Sequence, residues 1–239
     1  MEPVLLGLLL AWSWAGSAIG LAAVLTFLAR TPLKLALVDR RRGRRLPRTR
    51  LAERVAAVEI AAVVALAGIA TLVTGWAWLI PVTAAVPLFG VELWYDVRSR
   101  SRRLVPELCG AAGVTTVAAA VVVAGGGTRS LAIAASLVLV GRAIASVPFV
   151  RAQIARLRNR APRLPVSDAF QVAGVVVASI AAVIDTAVLA GTAAVVAVAT
   201  AQLLWLRRPV PPAKVLGAWQ TALGLTVVAI CAAGARVLT

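Results

Sequence analysis

The chain has 239 residues, 61% of them hydrophobic, and its 25 Lys and Arg against nine Asp and Glu give a net charge of +16. Ordinary soluble domains are about 45 to 50% apolar, so this composition excludes a soluble protein with a conventional polar surface. The charge does not indicate nucleic-acid binding, because 22 of the 25 basic residues fall in four stretches between hydrophobic runs: 30–54, 97–105, 151–166 and 207–214. Basic loops between apolar segments are typical of the cytoplasmic side of membrane proteins.

Uncharged runs predict helices that cross a membrane. A span needs about 20 apolar residues for about 30 Å of hydrocarbon, and backbone groups in lipid must be paired within the helix. The sequence therefore predicts an all-α polytopic transmembrane bundle, a single membrane domain over residues 1–239. Its eight predicted spans are 4–29, 52–74, 76–96, 106–124, 129–150, 167–183, 186–206 and 214–236.

The connections between the predicted spans alternate in character. The four basic stretches join spans on one side, whereas the short connections 74–75, 125–128 and Asp185 join them on the other. Because basic loops are retained in the cytoplasm, we expect all four basic loops to be cytoplasmic and both chain ends to lie outside.

The first segment has two interpretations. Residues 4–11 are apolar, Trp12 and Trp14 are typical of a membrane interface, and a second apolar run begins at Ala18. Either 4–29 is one long helix, or the chain begins inside a severed first helix. In the second case the natural protein has nine spans and a cytoplasmic N-terminus.

Ionisable residues near spans are the candidates for a functional site, because burying a charge in the membrane is costly. Glu92 and Asp96 are four residues apart and share one helix face, so they form a candidate cation-binding pair. Their alternative role is to pair with arginines that follow them in the chain, Arg98, Arg100 or Arg102.

Arg142 and Glu59 lie within predicted spans and are further members of this polar set. Arg142 either extends its side chain to water or forms an interior ion pair with Glu59 or Glu92. The sequence leaves both alternatives open.

The first basic stretch contains eight arginines between Arg40 and Arg54, which follow Asp39. Arginine side chains match the geometry of phosphate oxygens, so Arg41, Arg44 and Arg48 are candidate phosphate-binding residues, with Asp39 beside them. Attraction to anionic membrane lipids is the alternative. The chain has no His, and its two cysteines lie in different spans, so the sequence contains no zinc pattern.

Several stretches resemble the YwiC-like family of bacterial integral membrane proteins. They are 33–45 (LKLALVDRRRGRR), 47–54 (PRTRLAER), Tyr95-Asp96 before arginines, 105–110 (VPELCG), and Arg142-Ala143 with Val147-Pro148. The resemblance covers nearly the whole chain and implies a multi-pass protein of the bacterial plasma membrane. Family members usually begin with a Glu-His-Gly-Ala-Trp stretch, which this chain lacks.

The layout is also similar to that of the UbiA-like prenyltransferases, whose Asp-rich loops hold Mg²⁺ and an isoprenyl diphosphate. Asp39 matches only the end of the first Asn-Asp-x-x-Asp pattern, since Leu35 and Ala36 occupy the first two positions, and Glu92 and Asp96 match the spacing of the second. The resemblance implies Mg²⁺ as cofactor only if these carboxylates act as they do in that family.

Three functions follow from the sequence. The first is a membrane protein that binds a phosphorylated or isoprenoid lipid head group at its cytoplasmic face. The second is a Mg²⁺-dependent prenyltransferase, and the third is a small-solute transporter, for which polar groups near the membrane midplane are expected. Anionic lipids are the expected partners, and the oligomeric state stays open.

Overall fold

The computed structural model describes residues 1–43, 46–98 and 103–238, and these residues form helices and short connections without a β-strand. The predicted all-α class is therefore confirmed. The helices are α1 (Glu2–Leu10), α2 (Trp14–Arg41), α3 (Pro47–Thr74), α4 (Leu79–Val97), α5 (Leu104–Ala124), α6 (Arg129–Leu157), α7 (Leu164–Ile184), α8 (Leu189–Trp205) and α9 (Ala213–Leu238). A 3₁₀ turn, Thr186–Val188, leads into α8.

Eight of these helices, α2 to α9, are long and apolar enough to cross a membrane. The chain is therefore a multi-pass membrane protein, as the hydropathy predicts. Several helices continue past the predicted ends: α6 reaches Leu157 rather than residue 150, and α3 begins at Pro47 rather than residue 52. Hydropathy marks the hydrocarbon boundary, whereas helical hydrogen bonding continues into the basic segments beyond it.

The prediction of one helix over 4–29 is wrong. Helix α1 ends at Leu10, and α2 begins at Trp14 after Ser13, whose hydroxyl accepts a hydrogen bond from the Gly16 N–H at 2.8 Å. Nine residues cover only about 13 Å at helical rise, which is too short for a crossing. Helix α1 instead lies inside the bundle against α5, α9 and α6, with Leu6 fully buried.

Contacts at both ends of α1 define its orientation in the bundle. At its C-terminal end, Ala11 packs against Gly125 in the short turn after α5. At the other end, the Glu2 carboxylate lies 3.3 Å from Arg142, which is midway along α6. The first turn of α1 therefore lies beside the middle of α6.

Helix α6 is central, since it contacts α1, α5, α7, α8 and α9. Contacts near the helix ends also bring the basic stretches to one end of the bundle. Arg41 Nη1 donates to the Val97 carbonyl at 2.9 Å, Arg151 pairs with Glu107 at 2.8 Å, and Arg156 donates to the Leu206 carbonyl. We call this end the basic face.

Candidate functional site

An ion cluster joins α2 and α4 near the basic face. Asp96 is 1% exposed and accepts hydrogen bonds from Arg30 Nη2 at 2.9 Å and Nε at 3.1 Å, and from Lys34 Nζ at 3.2 Å. The same Arg30 Nη2 lies 2.7 Å from Glu92 Oε1. Glu92 and Asp96 therefore pair with cations of α2, and the predicted pairing with Arg98 is wrong. The other two predicted partners, Arg100 and Arg102, lie outside the described residues.

This cluster does not fit a divalent cation. Glu92 and Asp96 do share one helix face, but both carboxylates already neutralise Arg30, and Asp96 also neutralises Lys34. A metal ion bound here would have to displace two cations that hold α2 against α4. Within the described residues no group of three Cys, Asp or Glu side chains converges as a set of metal ligands.

Asp39 has a different role from the one that the UbiA-like resemblance implies. Its buried carboxylate accepts a 2.7 Å hydrogen bond from the Thr49 hydroxyl and lies 3.4 Å from the Arg48 guanidinium. Arg40 and Glu53 form a second link at 2.7 Å between the same helices. These contacts fasten the end of α2 to the start of α3.

A groove of about 470 Å³ opens between α2 and α4 at the basic face. Apolar side chains form most of it, and two arginines stand at its end. The lining residues are Leu37, Arg41, Gly90, Leu93, Trp94, Val97 and Arg98. Both arginines are exposed, and the Arg98 guanidinium lies 3.4 Å from the centre of the Trp94 ring, as in a cation–π contact.

The three predicted phosphate-binding arginines have different locations. Arg41 lines the groove, Arg48 is directed to Asp39, and Arg44 lies outside the described residues. Arg98 was missed as a groove residue. A repeated spacing in the sequence could have identified Arg98. On α2, Arg41 follows Leu37 by one helical turn, and on α4, Arg98 follows Trp94 by the same distance.

The predicted partners of Arg142 are also wrong. Arg142 is 8% exposed and lies against Glu2 rather than Glu59 or Glu92, and its Nη2 donates to the Gln220 carbonyl at 2.5 Å. Glu59 lies on α3, where one carboxylate oxygen is buried without a hydrogen-bond partner among the described residues. Arg142 therefore belongs to the interior of the C-terminal helices, and the ion cluster between α2 and α4 is separate from it.

Comparison with known proteins gives one family. The family model described as YwiC-like protein matches residues 1–124, which include the first basic stretch, the ion cluster and the groove. No curated protein and no solved structure matches the chain significantly.

Proposed function

The chain belongs to the YwiC-like family, and on that premise we propose that it binds a phosphorylated lipid, with the head group at the basic face. In the same proposal the protein lies in the bacterial plasma membrane and its basic loops are cytoplasmic, as the positive-inside rule favours. The lipid phosphate binds Arg41 and Arg98, and the hydrocarbon chain lies in the groove between α2 and α4.

The groove between α2 and α4 is the observation that supports this proposal. Its walls are apolar at Leu37, Leu93 and Val97, and its arginines stand at the end that belongs to the basic face. A guanidinium binds phosphate through two parallel N–H donors, and a hydrogen bond to a charged group contributes about 1.5–3 kcal/mol. Trp94 fixes the Arg98 side chain in place, which lowers the entropic cost of binding.

The ion cluster beneath the groove supports binding rather than prenyl transfer. Arg30 and Lys34 hold α4 against α2 through Asp96, and Leu93 and Val97 beside it line the groove. The carboxylates that a transferase needs for Mg²⁺ thus act here as structural partners of cations. A transferase would need metal ligands other than these.

Native mass spectrometry of the delipidated protein tests the proposal. We would add a polyprenyl phosphate, a phosphatidic acid and the uncharged polyprenol separately, and compare the wild type with Arg41→Gln/Arg98→Gln. We expect the double variant to lose at least about tenfold in affinity for a phosphorylated lipid, because about 1.4 kcal/mol corresponds to a factor of ten.

The matched control is Arg158→Gln/Arg160→Gln, which removes the same charge from two other exposed arginines of the basic face. Equal losses in the two double variants would refute the groove and reduce the effect to general attraction for anionic lipid. Tighter binding of polyprenyl phosphate than of phosphatidic acid identifies an isoprenoid ligand, whereas the reverse order identifies a phospholipid.

A further inference from the structure

A line of polar residues follows one face of α6 from the basic face to the middle of the bundle. Arg156, Gln153, Ser146 and Arg142 recur at spacings of three, seven and four residues, which places them on the same side of a helix. Gln153 is fully buried and accepts a 3.2 Å hydrogen bond from Arg156. A helix in the centre of a membrane protein thus carries a polar face over half its length.

Three glutamines from the neighbouring helices meet this polar face. Gln171 of α7 donates to Gln202 of α8 at 2.9 Å and to the Ala145 carbonyl at 3.0 Å. Gln202 in turn lies 3.4 Å from the Gln220 amide oxygen of α9 and 3.5 Å from the Ser146 hydroxyl. We call these residues of the four helices the polar interior of the α6–α9 unit, and the buried apolar side chains Phe149, Ala152, Leu206 and Leu216 pack in the same half of the unit.

Several groups of this polar interior have no partner among the described residues. They are Arg142 Nε, Gln153 Nε2, Ser167 Oγ and Gln171 Oε1, and each belongs to a side chain that is at least nine-tenths buried. An unpaired buried polar group costs several kcal/mol in an apolar medium. Buried polar groups without a protein partner bind water or a polar ligand.

The half of these helices that lies farther from the basic face, which we call the outer half, is apolar. Val138 of α6, Val195 of α8 and Val227 of α9 are fully buried there, together with Leu6 of α1. Polar surroundings on one side of Arg142 and a closed apolar core on the other give the site a floor at mid-depth. A charged residue in this position inside a membrane protein marks a ligand or ion site more often than a structural one.

Arg142 is the group that determines the chemistry of the ligand. Its ion pair with Glu2 measures 3.3 Å, which is longer than the 2.7–2.9 Å pairs of Arg30 and Arg151 and similar to the 3.4 Å pair of Arg48 with Asp39. Its Nη2 is bonded to a neutral carbonyl, and its Nε has no partner in the described part of the chain. We propose that the polar interior of the α6–α9 unit is a hydrated site in which Arg142 binds a small solute that carries a carboxylate or similar oxyanion. The glutamine amides contact the rest of that solute.

Thiol accessibility tests whether the site is hydrated. In a Cys109→Ala/Cys231→Ala background, Ser146→Cys places a thiol in the polar interior, and the matched variant Ser136→Cys places one on the outer half of the same helix. Ser136 donates to the Thr115 carbonyl between α5 and α6. In lipid nanodiscs we expect the membrane-impermeant anionic reagent MTSES to modify Ser146→Cys at least about tenfold faster than Ser136→Cys, since methanethiosulfonates react in water. Equal rates would overturn the proposal.

The anion-binding role of Arg142 is tested in the same protein. We expect acetate to slow the MTSES reaction of Ser146→Cys in a saturable way, compared with chloride at equal ionic strength. With Arg142 present, we also expect the thiol to react faster with the anionic reagent MTSES than with the cationic reagent MTSET. Arg142→Gln should remove both the protection by acetate and this preference, whereas Arg142→Lys should retain part of both. If acetate, lactate and inorganic phosphate all fail to protect the thiol when Arg142 is present, the proposed ligand class is wrong, whether or not Arg142→Gln folds.

Discussion

At the scale of single residues, Asp96 is a negative charge with an exposed fraction of only 1% that three donor groups surround. We expect Asp96→Asn to destabilise the protein by about 1–3 kcal/mol, because Arg30 and Lys34 lose a shared charged acceptor. The measurement is thermal unfolding in detergent, followed by tryptophan fluorescence. The lowered stability should appear as a lower unfolding temperature at unchanged protein and detergent concentrations.

Asp168→Asn is the matched control, since Asp168 pairs with Arg207 at 2.9 Å in a more exposed place. An exposed pair contributes about 0–1 kcal/mol, so this substitution should change the unfolding temperature little. Equal effects of the two Asp→Asn changes would contradict the structural role given to Asp96.

The sequence could identify these charged residues but not their partners. Glu92 and Asp96 were visible as a pair because helical spacing is local. Their partner Arg30 is 66 residues from Asp96, and Glu2 lies in a short helix that hydropathy merged with the first span. Such pairings depend on which helices are neighbours in the bundle, and a single sequence does not contain that information.

At the scale of helices, α6 and α7 approach each other through two glycines. A Cβ atom on Gly141 would lie 2.6 Å from the Gly174 carbonyl oxygen, which is closer than side chains come to backbone atoms. We expect Gly141→Ala to lower the unfolding temperature because the two helices must separate, which weakens packing that small residues make possible in membranes. Thermal unfolding in detergent measures this effect.

Gly68→Ala on α3 provides the comparison. A Cβ atom at Gly68 would have no other atom within 4 Å, and alanine favours a helix over glycine by about 1 kcal/mol. This variant should therefore be as stable as the wild type or more stable. A Gly141→Ala protein as stable as Gly68→Ala would show that the contact is looser than described.

Helix ends show the limit of hydropathy at this scale. The sequence predicted eight long apolar helices, but it merged α1 with α2, and it placed the end of α6 at residue 150, seven residues before Leu157. The shift matters for function, because it places Arg142 in the middle of α6 rather than in the second half of the predicted span 129–150. The polar face made by Arg142, Ser146 and Gln153 could have been recognised from its spacing alone, once the helix was known to continue through Gln153.

At the scale of the whole molecule, the basic stretches and the buried polar residues both lie in the half of the bundle that ends in the basic face. The basic stretches meet at one end, and the groove between α2 and α4 opens there. The polar interior of α6–α9 lies in the same half of the bundle. The alternation of basic stretches with short connections that contain no basic residue predicted this polarity, since each span reverses the direction of the chain.

The direction of the molecule in the membrane is the prediction that both proposed ligands depend on, because a cytoplasmic solute or lipid head group reaches only the cytoplasmic side. In the cysteine-free background, Trp76→Cys places an exposed thiol in the short connection between α3 and α4, and Arg160→Cys places one in a basic loop. We expect a membrane-impermeant maleimide to label Trp76→Cys on intact cells and Arg160→Cys only after the membrane is permeabilised. The opposite pattern would place the basic face outside the cytoplasm, against the charge rule, and both ligands would then have to be sought on the outer side.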